Sequence, residues 1–114
     1  HNMRGRFRTD ANGMVAFPTV VPAAYPVPHD GPVGRVLAAM GRGPMRPAHV
    51  HFWIKKDGYR DLITHIFKDG DPYLYDDAVF GVKASLVTDW EASKREGEPA
   101  RLTYEFRILK LESV

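Results

Sequence analysis

The sequence predicts an all-β chain, an antiparallel β-sandwich with proline-rich loops and one short helix. Three features carry that expectation: short stretches of period-two apolar alternation, turn signals between them, and a single apolar stretch at helical spacing. At 114 residues the chain reads as one domain, 1–114, with room for one core. A hydrophobic content of 44% and a charged content of 26% suit a water-facing globular domain.

In chain order, residues 4–10 alternate weakly, Asp10-Ala11-Asn12-Gly13 supplies a turn, and residues 14–21 read as strand, giving a first hairpin. Residues 22–32 contain Pro22, Pro26, Pro28 and Pro32, which remove backbone donors and predict a rigid extended loop. Tyr25 is held extended by the proline that follows it. Residues 33–40 predict a short helix, stopped by Gly41-Arg42-Gly43-Pro44. The strand containing Arg46-Pro47-Ala48-His49-Val50-His51-Phe52-Trp53-Ile54 follows, and the turn Lys55-Lys56-Asp57-Gly58 leads to an antiparallel partner over residues 62–67. Residues 73–81 are irregular but too apolar for a solvated loop, so they fold back on the body. Residues 82–87 read as a short strand or one helical turn, and 89–99 as a charged surface connection. Residues 102–109 form the clearest period-two stretch of the chain.

Composition narrows the chemistry. With no cysteine, disulfides, thiolate metal sites and cysteine nucleophiles are excluded, which is compatible with a reducing cytoplasm, the expected location, without proving it. The net charge of +2 is spread among both signs, which gives no footprint for nucleic acid. No apolar run predicts a membrane span.

Side chains alternate along a strand, so His49 and His51 share a face and can offer two imidazoles to one metal. Two ligands leave a site unfinished. Tyr25, His29, His65 and the acidic residues near Asp76 are the candidates for a third, and a phenolate oxygen from Tyr25 would favour Fe(III). Arg46, fixed by Pro47, can stabilise an anion at the site mouth. His65 serves equally well as a hydrogen-bonded core histidine or a catalytic one. Phe52, Trp53, Tyr73, Tyr75 and Tyr104 read as packing residues.

Residues 2–10, the loop from Val21-Pro22 through Tyr25 to Asp30-Gly31-Pro32, the stretch Arg46-Pro47-Ala48-His49-Val50-His51-Phe52 and residues 70–77 resemble, in order and spacing, the catalytic domain of the intradiol ring-cleavage dioxygenases. Tyr25-Pro26-Val27-Pro28, Thr64-His65 and Ala78-Val79-Phe80-Gly81 are most similar to the hydroxyquinol enzymes of that family, with catechol and chlorocatechol enzymes less alike.

The resemblance implies a β-sandwich holding non-haem Fe(III) between two tyrosines and two histidines. Tyr25, His49 and His51 would be ligands, and Tyr25 the one that leaves when substrate binds. The other tyrosine is expected about a dozen residues before His1, together with a helical dimerisation region and first strands, all outside 1–114. The implied reaction opens an aromatic diol or triol with O2 between its two hydroxylated carbons, giving a dicarboxylate of maleylacetate or muconate type. Arg46 and His65 would stabilise anionic charge, with Val27, Pro28 and Val79 as the wall against which the ring lies. The full-length family implies a homodimer. Two other readings stand beside this one: a non-catalytic sandwich fragment or phenol-binding module with an incomplete metal site, and a cupin-type divalent-metal enzyme, for which no further Glu or His has suitable spacing.

Overall fold

The computed structural model describes residues 3–90 and 96–113. His1 and Asn2, and the middle of the 89–99 connection, lie outside the described residues. The architecture is strand-based with one α-helix. Strands β1 (Tyr25–Pro26) and β2 (Met45–Arg46) pair antiparallel, and β3 (His49–Ile54), β4 (Leu62–Lys68) and β5 (Val87–Thr88) form an open sheet in the order β3-β4-β5. Neither sheet closes into a barrel.

The β3/β4 ladder is the backbone of the fold. His49 faces Phe67, His51 faces His65 and Trp53 faces Ile63, so one face carries all six side chains. The opposite face holds Phe52, on which Phe106 packs at 4.7 Å between ring centroids. Phe67, wholly buried, anchors the core with Ala48, Ile66, Leu74, Ala78 and Leu37. The Asp71 carboxylate ties the start of β3 to the following loop, accepting from Ala48 N at 3.0 Å and Tyr73 N at 2.9 Å.

Helix α1 (Pro32–Ala39) begins with its proline, whose missing N–H costs nothing at a helix start, and buries Leu37. Gly34 is required by packing: a Cβ there would collide with the His29 carbonyl of the incoming loop.

Several expectations are corrected. The sheet is not wholly antiparallel, because β5 runs parallel to β4 after a 3-10 turn at Ala84–Leu86, so both readings of 82–87 are realised in sequence. The first hairpin has its turn, with Gly13 N donating to Asp10 O at 3.0 Å and Phe7 stacked on Phe17 at 4.4 Å, but no ladder. The loop over 22–32 is interrupted by β1, which Val27 N extends by donating to Pro44 O at 2.9 Å. Residues 102–109 keep their alternation, with Leu102, Tyr104, Phe106 and Ile108 turned inward, yet form no strand; a lone bridge joins Tyr59 and Lys110. Alternation specifies an inward face, not a partner. Trp53 is 63% exposed and Tyr75 99% exposed, so neither is a core residue, whereas Trp90 is buried at the start of the presumed surface connection. Tyr104 does pack inward and donates its hydroxyl to Ser85 O at 2.8 Å. Among the described residues the only other sheet is the two-stranded β1-β2 pair, which reaches His49 through Tyr25 and Arg46.

The chain leaves much of itself uncovered. Its accessible surface is 9594 Å², against roughly 6,300 Å² for a closed monomer of this mass. Its radius of gyration is 16.9 Å, where a compact domain of this length has about 13 Å.

Gly34→Ala separates propensity from packing. Helix propensity alone favours alanine by about 1 kcal/mol, whereas the His29 contact reverses the sign and costs about 1–3 kcal/mol. A lower urea midpoint is the expected outcome; a higher one would show that the loop yields. Phe67→Ala, a change at the centre of the core, is expected to cost about 3–5 kcal/mol in the same measurement.

Candidate metal centre

Alternation along β3 sets His49 and His51 on one face with ring centroids 4.7 Å apart, and the β4 register brings His65 within 5.3 Å of His51. Phe67 backs the cluster, meeting the His65 ring edge-on at 4.6 Å. Tyr25 reaches the same point because β1 pairs with β2, placing it opposite Arg46.

The donor atoms converge. Tyr25 Oη lies 3.3 Å from His49 Nε2, which lies 3.2 Å from His51 Nε2. Two donors each about 2.1 Å from one ion, at tetrahedral or right angles, stand roughly 3.0–3.4 Å apart. The spacing therefore fits a shared cation.

Two hydrogen bonds fix the His49 tautomer. Its Nδ1–H donates to the carbonyl of buried Pro47 at 2.6 Å. Its Nε2 is 3.1 Å from Arg46 Nη1, and since a guanidinium only donates, Nε2 is the unprotonated nitrogen and its lone pair accepts from Arg46. Burial pushes the His49 pKa down; the Pro47 bond opposes this, while Arg46, His51 and His65 add to it. Burial likewise lowers His51, helped by His65 and Arg46. Both rings are thus held in the neutral form that binds metals. Pro47 is the orienting group that metal-bound histidines normally require.

Arg46 is itself held. Its Nε donates to Asp77 Oδ1 at 3.0 Å and its Nη2 approaches Oδ2 at 3.4 Å, with both side chains buried. Asp77 also accepts from Val79 N at 3.2 Å and Gly81 N at 2.9 Å. Burial alone would raise the Asp77 carboxyl, but the Arg46 and amide hydrogen bonds, with the Arg46 charge, hold it below its ordinary value. A depressed folded pKa means that this stabilisation is complete above the unfolded value near 3.8 and fades as pH falls through the folded one. Phe80 takes a positive φ of 55° at the end of this turn, a conformation costing a bulky residue about 1–3 kcal/mol. Arg42 braces it from outside, its guanidinium 4.0 Å from the Phe80 ring centre and Nη2 donating to Asp77 O at 2.9 Å.

Tyr25, Arg46, His49, His51 and His65 are therefore assembled as one cluster. The other expected residues are not. His29 bonds to Val27 O at 3.0 Å in an exposed loop, Asp76 pairs with Arg42 at 3.4 Å, and the Asp77 carboxylate is occupied by Arg46. Among the described residues no group of three or more His, Asp or Glu is arranged for a metal, so the third donor at the His pair is the Tyr25 phenol. His65 Nε2 faces Gly81 O at 3.3 Å instead. Val27 and Pro28 line a shallow hollow with Pro26, His29 and Asp30, without His49, His51 or His65, and Val79 is half exposed. The roles of Pro47 O and Gly81 were not foreseen, and Asp77, a candidate ligand by its place beside Asp76, instead holds Arg46.

The histidine face opens to solvent through His51, Trp53 and Ile63. No helix of the described residues is long and apolar enough to cross a membrane.

Comparison with known proteins identifies relatives in sequence and in fold. The model of the family described as Dioxygenase matches residues 1–110. The 6-chlorohydroxyquinol 1,2-dioxygenase of Cupriavidus pinatubonensis is 55% identical over 87 residues, covering 76% of this chain and 32% of that protein. Among solved structures, hydroxyquinol 1,2-dioxygenase from Pseudomonas putida DLL-E4 superposes with a TM-score of 0.74 at 56% identity, over 79% of this chain and 32% of that one. Catechol 1,2-dioxygenase from Acinetobacter sp. ADP1 gives 0.77 at 35% identity, over 91% and 37%. The chain spans about a third of the length of the curated relatives it matches. With a family match along nearly its whole length and a shared fold, the chain belongs to the dioxygenase family, in its intradiol ring-cleaving branch.

Proposed function

We propose that the protein containing this chain is a non-haem Fe(III) intradiol dioxygenase that opens hydroxyquinol, or a catechol-type diol, between its hydroxylated carbons to give a dicarboxylate. The observation that carries this reading is that His49 Nε2 has both Tyr25 Oη at 3.3 Å and His51 Nε2 at 3.2 Å, while its Nδ1–H is committed to Pro47 O. The relatives' names support the substrate class, hydroxyquinol ahead of catechol by identity.

Tyr25, His49 and His51 would hold the iron, which when bound supplies a Lewis acid that draws electron density from the ring of a chelated diol. Tyr25, 45% exposed and at the rim, is the donor free to swing out, and its Oη takes a proton from an incoming substrate hydroxyl. With the His49 lone pair used for coordination, Arg46 Nη1–H becomes available to a substrate oxygen. Arg46 and His65 then face the negative charge that develops as the ring opens. Val27, Pro28 and Val79 form part of the ring-binding wall once covered.

The uncovered surface supports the same reading. The excess over a closed monomer is what a catalytic portion of a β-sandwich presents when the rest of its polypeptide is set aside. In the full-length protein the remainder completes the sandwich, supplies the other tyrosine and forms the homodimer contacts, in a cytoplasmic enzyme.

The test uses the full-length protein loaded with Fe(III). A visible phenolate-to-iron charge-transfer band is expected, shifting when hydroxyquinol is added without oxygen, followed by equimolar O2 uptake when air is admitted. A colourless loaded protein would overturn the site assignment, and a coloured one that consumes no O2 would leave a phenol-binding module. Tyr25→Phe is expected to alter the band and lower turnover by about 10²-fold or more. His49→Ala should abolish stoichiometric iron, measured by metal analysis after gel filtration.

A further inference from the structure

We propose that residues 77–81 form a clamp that fixes Arg46 and His65 at one mutual spacing, with Asp77 and Gly81 as its positioning residues. The inference rests on the reading above for its chemical meaning, but its geometry stands apart from the metal.

Asp77, 3% exposed, is the clamp's fixed point. One carboxylate oxygen takes Arg46 Nε and Val79 N, and the other takes Gly81 N and faces Arg46 Nη2. This uses the Nε side of the guanidinium and leaves Nη1 pointing at the histidine pair, 3.1 Å from His49 Nε2. The same turn then presents Gly81 O to His65 Nε2 at 3.3 Å. One short loop therefore grips the arginine through a side chain and the histidine through its backbone.

Gly81 is where the grip is tightest. A Cβ at this position would lie 3.0 Å from His65 Nε2, 3.1 Å from Asp77 Oδ2 and 3.2 Å from Arg46 Nη2. An imidazole, a carboxylate and a guanidinium thus meet over a residue with no side chain. Its φ is not in the left-handed region, so alanine is allowed by the backbone and excluded only by these three neighbours. Groups prearranged around developing charge need no reorganisation during reaction, which is the advantage such a clamp gives.

Gly81→Ala is the decisive variant because it removes no hydrogen-bonding group and only pushes three apart by a few tenths of an ångström. In the full-length, iron-loaded protein, kcat for hydroxyquinol is expected to fall about tenfold, with KM, iron content and the charge-transfer band little changed. Asp77→Asn, which keeps the shape and removes the charge, is expected to lower kcat about 10–100-fold with the same split, and Asp77→Glu should not restore it, being too long for the turn. Independently of turnover, NMR of the Arg46 Nε–H and the His65 ring nitrogens should show both sets of signals moving together in each variant. Folded variants with unchanged kcat, or signals of Arg46 and His65 that stay put or move separately, would overturn the clamp. Should both variants fail to fold, the parent protein decides: slow solvent exchange of Arg46 Nε–H and His65 Nε2–H supports it, and exchange as fast as that of an exposed arginine sinks it. A parent protein inactive on hydroxyquinol would sink the functional reading, while the NMR arm would still decide the clamp.

Discussion

The buried ion pair between Arg46 and Asp77 is the constraint on which the rest of the site depends. Arg46 lies in β2, opposite Tyr25 in β1, three residues before His49, and its guanidinium bridges the histidine and the carboxylate. Losing Asp77 alone would leave a desolvated cation, a change costing about 3–5 kcal/mol in such settings. The pair also explains why the irregular stretch after β4 is not free. Its turn must present an acid inward, and Ala78 N closes the same contact by donating to Met45 O at 3.1 Å.

Around that pair the site has two kinds of support. Behind the histidines stands apolar packing, with Phe67 wholly buried beneath them. In front there is little: Trp53 and Ile63, cross-strand neighbours on the same face, are mostly exposed, with Lys55 lying 3.8 Å over the indole. A dry site strengthens every electrostatic interaction within it, so covering this face would strengthen those of Arg46 with its neighbours.

What was legible in the sequence follows from how local each signal is. The His49/His51 pairing, the α1 stop at Gly41 and the β3 to β4 hairpin are written in neighbouring residues, and they appear within a residue or so of their expected places. Residues 102–109 announce an inward face and deliver one, but a ladder partner is a property of another part of the chain. Trp53 looked like core because it is large and apolar, yet its alternation with Phe52 already put it on the histidine side. The roles of Pro47 O and Gly81, and the pairing of Asp77 with Arg46, could not be read at all. A carbonyl has no letter, and an aspartate 31 positions from its arginine is marked by no period.

The two imidazole-facing supports differ in heritability. His49 is oriented by the carbonyl of Pro47, and no side-chain replacement can delete a carbonyl. The tautomer that leaves Nε2 bare is therefore insulated from most mutation at that position, so long as the backbone holds its course. Arg46 and His65 are steered by a side chain and by the emptiness at Gly81, features that a single codon change can erase. Drift at position 47 would therefore spare the His49 tautomer, whereas drift at 77 or 81 would reach Arg46 and His65 directly.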